Sequence, residues 1–116
     1  MDSKTRTYQF ALKIIVLVDH LSMDLSTKVA ANQLLRAATS IGANIVEAQA
    51  CSSRKDFTNY FNHALKSANE SKYWLELLRD SKKSNAENIE PLIKESEEIA
   101  KILAASIITL KNQRQF

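Results

Sequence analysis

The side chains with most chemical capacity in this sequence are two histidines, His20 and His63, a lone cysteine, Cys51, and the acidic pair Glu97-Glu98. A zinc or di-iron site on helices needs ligands that share a face, through His pairs or Glu-x-x-His motifs. Neither histidine has a His or Cys three or four residues on, and no Glu-x-x-His occurs. A cysteine nucleophile wants an imidazole and an orienting acid beside it, which for Cys51 only the fold can supply. Glu97-Glu98 sits in a charge run of the kind that normally faces solvent. The single glycine excludes a Gly-rich phosphate loop, and no Ser–His–acid order is recognisable. The expectation is therefore no catalytic residue, no metal, no cofactor and no enzyme. An enzymatic reading survives only as a site assembled between subunits from Arg36, Glu47, His63 and Glu70.

The elements that must position these residues are helices. The chain has 116 residues, 45% of them apolar and 25% charged, with one Gly and one Pro. Turn-forming residues are too scarce for an all-β fold, and the length fits one domain over residues 1–116. Four segments carry helical periodicity. The first, Thr5 to Leu21, repeats Phe10, Ile14, Leu17 and Leu21, with Ile15 and Val18 widening the stripe. Ser26 offers an N-cap for the second. That segment, Thr27 to Cys51, aligns Ala30, Leu34, Ala37, Ile41, Ile45 and Ala48, with Ala31, Leu35 and Ala38 beside them. Its small side chains predict close neighbours, and it is expected to be the most buried helix.

Ser53-Arg54-Lys55-Asp56 resembles a capping box. It opens a third helix that runs to about Lys83, with Phe57, Phe61, Ala64, Ala68, Ser71, Leu75 and Leu78 as its seam. Pro91 suits a first helical turn. The fourth helix then runs to about Lys111, through Leu92, Ser96, Ile99, Leu103, Ser106 and Leu110, flanked by Ile93, Ala100 and Ile107. Short connections make consecutive helices antiparallel neighbours. The predicted fold is an all-α, up-down-up-down four-helix bundle. The apolar run Ala11 to Val18 is too short to span a bilayer and no signal-peptide cleavage pattern follows it. One cysteine precludes an internal disulfide and fits a reducing cytoplasm.

A second stripe flanks the core seams of the middle helices. Gln33, Arg36, Ser40, Ala43 and Glu47 share one face of the second helix, with Asn44 at its border. His63, Ser67, Glu70, Trp74 and Leu77 share a face of the third. An antiparallel hairpin turning near Ser52 brings about residue 68 opposite residue 36, so Arg36 and Glu70 are within pairing reach. Trp and Arg are favoured interface anchors, which makes this stripe a candidate contact between subunits.

Net charge is +3, concentrated unevenly. Residues 52–83 carry seven Lys/Arg against four Asp/Glu, and residues 84–116 carry four against five. Arg54, Lys72, Arg79 and Lys83 are expected near one another around the third helix, as the candidate nucleic-acid-binding residues. Repeated around a ring, they would make a continuous basic surface for phosphates.

The string Gln33-Leu34-Leu35-Arg36-Ala37-Ala38-Thr39-Ser40-Ile41-Gly42-Ala43-Asn44-Ile45-Val46-Glu47 resembles the signature of the bacterial four-helix-bundle proteins encoded within intervening sequences of large-subunit ribosomal RNA genes. Asp56-Phe57, Ala64, Ser67, Glu70, Tyr73-Trp74-Leu75 and Glu98 to Leu103 continue the likeness, which covers nearly the whole chain. Arg-Ala-x-x-Ser-Ile-x-x-Asn-Ile-x-Glu is its specific part. The family usually has Gly after that Glu, where this chain has Ala48. The resemblance implies a bundle assembled into a homopentamer-like ring. It also implies kinship with the accessory protein of diversity-generating retroelements, which binds nucleic acid and a reverse transcriptase. Gln33, Arg36, Ser40, Asn44, Glu47, Ser67, Glu70 and Trp74 carry over as structural and interfacial residues. The expected function is a non-enzymatic homo-oligomer that binds RNA or DNA; the alternative is a protein–protein scaffold.

Overall fold

The computed structural model describes residues 1–113. Four α-helices follow in order: α1 (Ser3–Asp19), α2 (Leu25–Ala50), α3 (Arg54–Asp80) and α4 (Ala86–Gln113). Each packs on its neighbours in chain order, and α1 closes on α4, as in an antiparallel four-helix bundle with no diagonal contact. The seams predicted from spacing form the core. Phe10, Ile14, Leu17 and Leu21 are buried from α1 and its exit, and Phe61, Ala64, Ala68, Leu75 and Leu78 from α3. α2 contributes nine buried residues, more than any other helix, as its small side chains predict. Each fully buried large aliphatic side chain contributes about 1.5–3 kcal/mol to this core.

Several expectations give way at the helix ends. Asp24, not Ser26, caps α2: its carboxylate accepts from the Thr27 N–H at 2.9 Å, while the Ser26 hydroxyl donates to Asp24. The carboxylate is the better acceptor, so the helix starts earlier than expected. Asp2 does the same for α1, accepting from Thr5 N–H at 2.7 Å, and moves its start to Ser3. Ser53 caps α3 as predicted, accepting from Asp56 N–H at 3.1 Å.

α3 stops at Asp80, short of Lys83, because Lys82 takes the left-handed conformation (φ 60°). Lys82 N–H then donates to Arg79 C=O and Lys83 N–H to Leu78 C=O, a Schellman stop made without glycine. Pro91 lies in the second turn of α4, because the helix already begins at Ala86. Its ring is exposed, so water can reach the carbonyl that loses its donor. Ser106 and Leu110, expected in the α4 seam, are only half-buried, and Ile89 is fully buried in their place.

Hydroxyls inside the bundle are satisfied locally. Thr7 donates to Ser3 C=O, Thr58 to Arg54 C=O, Ser71 to Ser67 C=O and Ser96 to Ile93 C=O, at 2.6 to 2.9 Å. These bonds within each helix let polar residues occupy seam positions without leaving groups unpaired. Thr27 Oγ1 is the buried side-chain oxygen without a partner. Gly42 lies against Thr7 of α1: a Cβ there would stand 3.2 Å from Thr7 Oγ1.

Candidate functional site

The second stripe assembles on the outer seam between α2 and α3. Two bonds across that seam fix its register. Ser40 and Ser67 hydroxyls meet at 2.5 Å, and Arg36 Nη2 donates to Glu70 Oε2. The same Glu70 oxygen accepts from Trp74 Nε1 at 2.9 Å, and Arg36 Nε donates to Gln33 Oε1 at 3.1 Å. Asn44 Nδ2 donates to Ser40 C=O at 2.8 Å. The expected Arg36–Glu70 pairing is therefore present, and one carboxylate oxygen serves both a guanidinium and an indole. Arg36 keeps 56% of its side chain exposed and Glu70 36%, so the network sits at the surface, half in water. Tyr73 packs edge-on against Trp74, with ring centroids 5.0 Å apart, and is itself exposed with Leu77. Glu47 lies at the far end of the stripe and is exposed, its backbone carbonyl accepting from Cys51 Sγ at 3.3 Å.

Arg54 is not brought together with the other three basic residues. α3 is 27 residues long, roughly 40 Å at 1.5 Å per residue, and Arg54 and Lys83 lie at its opposite ends. Arg54 donates to Gln113 C=O at 3.0 Å. Lys72 pairs with Glu97 at 3.0 Å. Arg79 bonds Asp80 at 2.8 Å and Glu90 at 2.9 Å, with Glu76 at 4.0 Å. Lys83 reaches Asp24 at 3.1 Å. Hydrogen bonds to Asp80 and then Glu90 push the Arg79 guanidinium further up, and Arg79 holds the Asp80 carboxyl down. Asp24 is held well below the usual carboxylate range, first by the Thr27 N–H and then by Lys83. Three of the four predicted cations are thus neutralised by acids, most of them from α4 or the α1–α2 turn. Exposed Lys55 and Lys66 instead lie outside any ion pair among the described residues, three helical turns apart on the outer side of α3.

Chemistry between these groups is limited. Among the described residues, no group of three His, Cys, Asp or Glu side chains is placed to hold a metal ion. His63 is exposed and stacks edge-on near Tyr60, apart from the Glu70 network. Cys51 is half-buried, and partial burial with nearby Asp56 and Glu47 raises its thiol, the opposite of what a nucleophile needs.

An antiparallel bundle of four helices with a polar–aromatic network on one outer seam defines an all-α four-helix-bundle protein. The chain belongs to the 23S rRNA-intervening sequence protein family, whose family model matches residues 1–105. A solved structure from Bacteroides thetaiotaomicron VPI-5482, a protein of unknown function from the S23 ribosomal protein family, is similar over most of its length. It shares 42% identity with a TM-score of 0.85, over 91% of this chain and 98% of that one. No curated protein matches the chain. Among the described residues, no helix is long and apolar enough to cross a membrane.

Proposed function

We propose that the protein is a non-enzymatic, homo-oligomeric assembly module whose copies join through the α2–α3 outer seam. The observation that carries this reading is the prearranged Gln33–Arg36–Glu70–Trp74 network. An Arg and a Trp are held in fixed geometry on a half-exposed face by a shared carboxylate. Prearrangement lowers the ordering cost that association otherwise imposes on such long side chains. A ring of five fits the family resemblance.

The test is the solution mass of the full chain and of Arg36→Ala and Trp74→Ala, by light scattering after gel filtration. The expected result is an oligomer for the parent and a shift toward monomer in both variants, with helicity retained. A monomeric parent, or oligomers intact in both variants, overturns the reading.

A second reading, nucleic-acid binding, is favoured by Lys55 and Lys66, which a ring would repeat around one surface. Charge reversal there leaves the ion pairs of Lys72, Arg79 and Lys83 intact, so it tests binding without disturbing the bundle. An anisotropy titration with a structured RNA and a duplex DNA should show binding that weakens steeply with salt and is lost in the double reversal. No binding at low salt removes this reading and leaves a scaffold for protein partners.

A further inference from the structure

On the side of the bundle opposite the α2–α3 seam, α1 carries a second apolar stripe outside its core one. Phe10, Ile14 and Leu17 face the core. Tyr8 (64% exposed), Leu12 (46%), Ile15 (39%) and Val16 (59%) face outward at helical spacing. A contiguous exposed apolar patch of this kind marks an interaction site more often than bare surface. Beside this stripe, α1, the α3–α4 connection and the start of α4 enclose a groove of about 840 Å³, with Leu12, Val16, Leu17, Leu21, Pro91 and Leu92 as its apolar part and His20, Ser84, Asn85 and Asn88 at its polar end. Lys13 and Lys83 stand at its rim, and no Asp or Glu lines it. Lys83 is shared with Asp24, but Lys13 has no carboxylate within 4 Å among the described residues.

Shape, area and charge each constrain the occupant. Leu12 and Val16 belong both to the groove lining and to the exposed α1 stripe, so the apolar surface continues along α1 as a strip. From Tyr8 to Leu21 it extends roughly 20 Å at 1.5 Å per residue, the length of about three or four turns of a helix laid along it. The outward side chains of α1 supply about half of the roughly 800 Å² per partner that a stable interface between folded chains takes, but enough for one helix in a groove. A second copy of α1 would bury that half alone, short of what a stable interface between folded chains takes.

We infer that the α1–α4 groove docks an amphipathic helix of a partner protein, one whose apolar stripe is flanked by acidic residues. The probe is a fluorescein-labelled designed helix with leucines at i, i+3, i+4 and i+7 and glutamates beside them. Its control carries lysines in place of the glutamates. Anisotropy of the full chain should show saturable binding of the glutamate helix and at least tenfold weaker binding of the lysine helix. Val16→Glu should weaken the glutamate helix tenfold or more, and Lys13→Glu severalfold. Both positions are exposed, so the bundle is expected to stay folded, which circular dichroism checks. Trp74→Ala should leave peptide binding unchanged, which separates this groove from the α2–α3 seam. Equal binding of the two helices, or undiminished binding by Val16→Glu, overturns the assignment. So does an RNA hairpin that binds and displaces the glutamate helix, because the groove would then be a polyanion site.

Discussion

The α2–α3 side and the α1–α4 side of this bundle are closed by different means. On the α2–α3 side, fully buried Ala37, Ala38, Ala64 and Ala68 let two long helices approach closely. The Ser40–Ser67 and Arg36–Glu70 bonds then fix their register from outside. On the α1–α4 side, a shorter helix is tied by one bidentate ion pair, with Arg6 Nε and Nη2 each 2.8 Å from a Glu95 oxygen. The remainder of that side is left as an open groove. Close packing leaves no slack to respond to a ligand, whereas a side held at one point can admit one. The two sides therefore suit different tasks: a fixed face for identical copies and an adaptable one for something else.

The comparison is easiest to break at the alanines. Ala68 lies level with Ala38 by the register of the two cross-seam bonds, so Ala68→Leu forces excess volume where nothing can yield. It should cost about 1–3 kcal/mol or prevent folding, read from urea midpoints. A larger side chain on the groove side, Val16→Leu, should change stability by less than about 0.5 kcal/mol. Equal costs at both positions would erase the distinction.

Next in size is the Arg6–Glu95 tie. The Arg6 guanidinium holds the Glu95 carboxyl below its usual range. A carboxylate whose folded pKa is depressed adds stability above its unfolded value, about 4.3, and loses it as pH falls through the folded value. Glu95→Gln should thus cost about 1–2 kcal/mol near neutrality, as charged, part-buried pairs do. Parent and variant curves should converge on acidification. A cost that persists undiminished in acid would mean that packing, not charge, ties α1 to α4.

The smallest effect concerns the α3 stop. Lys82 holds φ 60° at the α3 stop, a conformation that costs a side-chain-bearing residue roughly 1 kcal/mol and glycine little. Lys82→Gly should raise the thermal midpoint, with a gain of about 0.5–1 kcal/mol, and should leave peptide and subunit binding as they were.

How much of this was legible in the sequence depended on distance along the chain. The seams were, because heptad spacing is local: every α1 and α2 core position named from spacing alone is buried except Ile15, Val18 and Leu35, which flank it. Arg36–Glu70 was also legible, because a hairpin of known turn fixes which residues are level. The neutralisation of Lys72 and Arg79 was not. Their partners Glu97 and Glu90 come from α4, whose phase against α3 follows from packing and not from composition. The outward apolar face of α1 was hidden for a related reason. Ile15 seemed to widen the core stripe, yet 39% exposure places it at the edge of the outer one. The α3 stop was legible only to within about three residues, from the polar stretch that opens at Ser81, because its left-handed residue is a lysine, where glycine would have marked it.

The short α1 has one more consequence. It spans 17 residues against 26 to 28 in the others, and Ser3 at its start stands beside Ile102 and Leu103. Beyond that level, among the described residues, the last turns of α4 pack on α3. Amide protons there should exchange with solvent well ahead of those in the middle of the helix, through openings that leave the remaining structure intact. Melting of the molecule would then begin at this end and travel toward Glu95, in the manner of a cable fraying from its unbound tip.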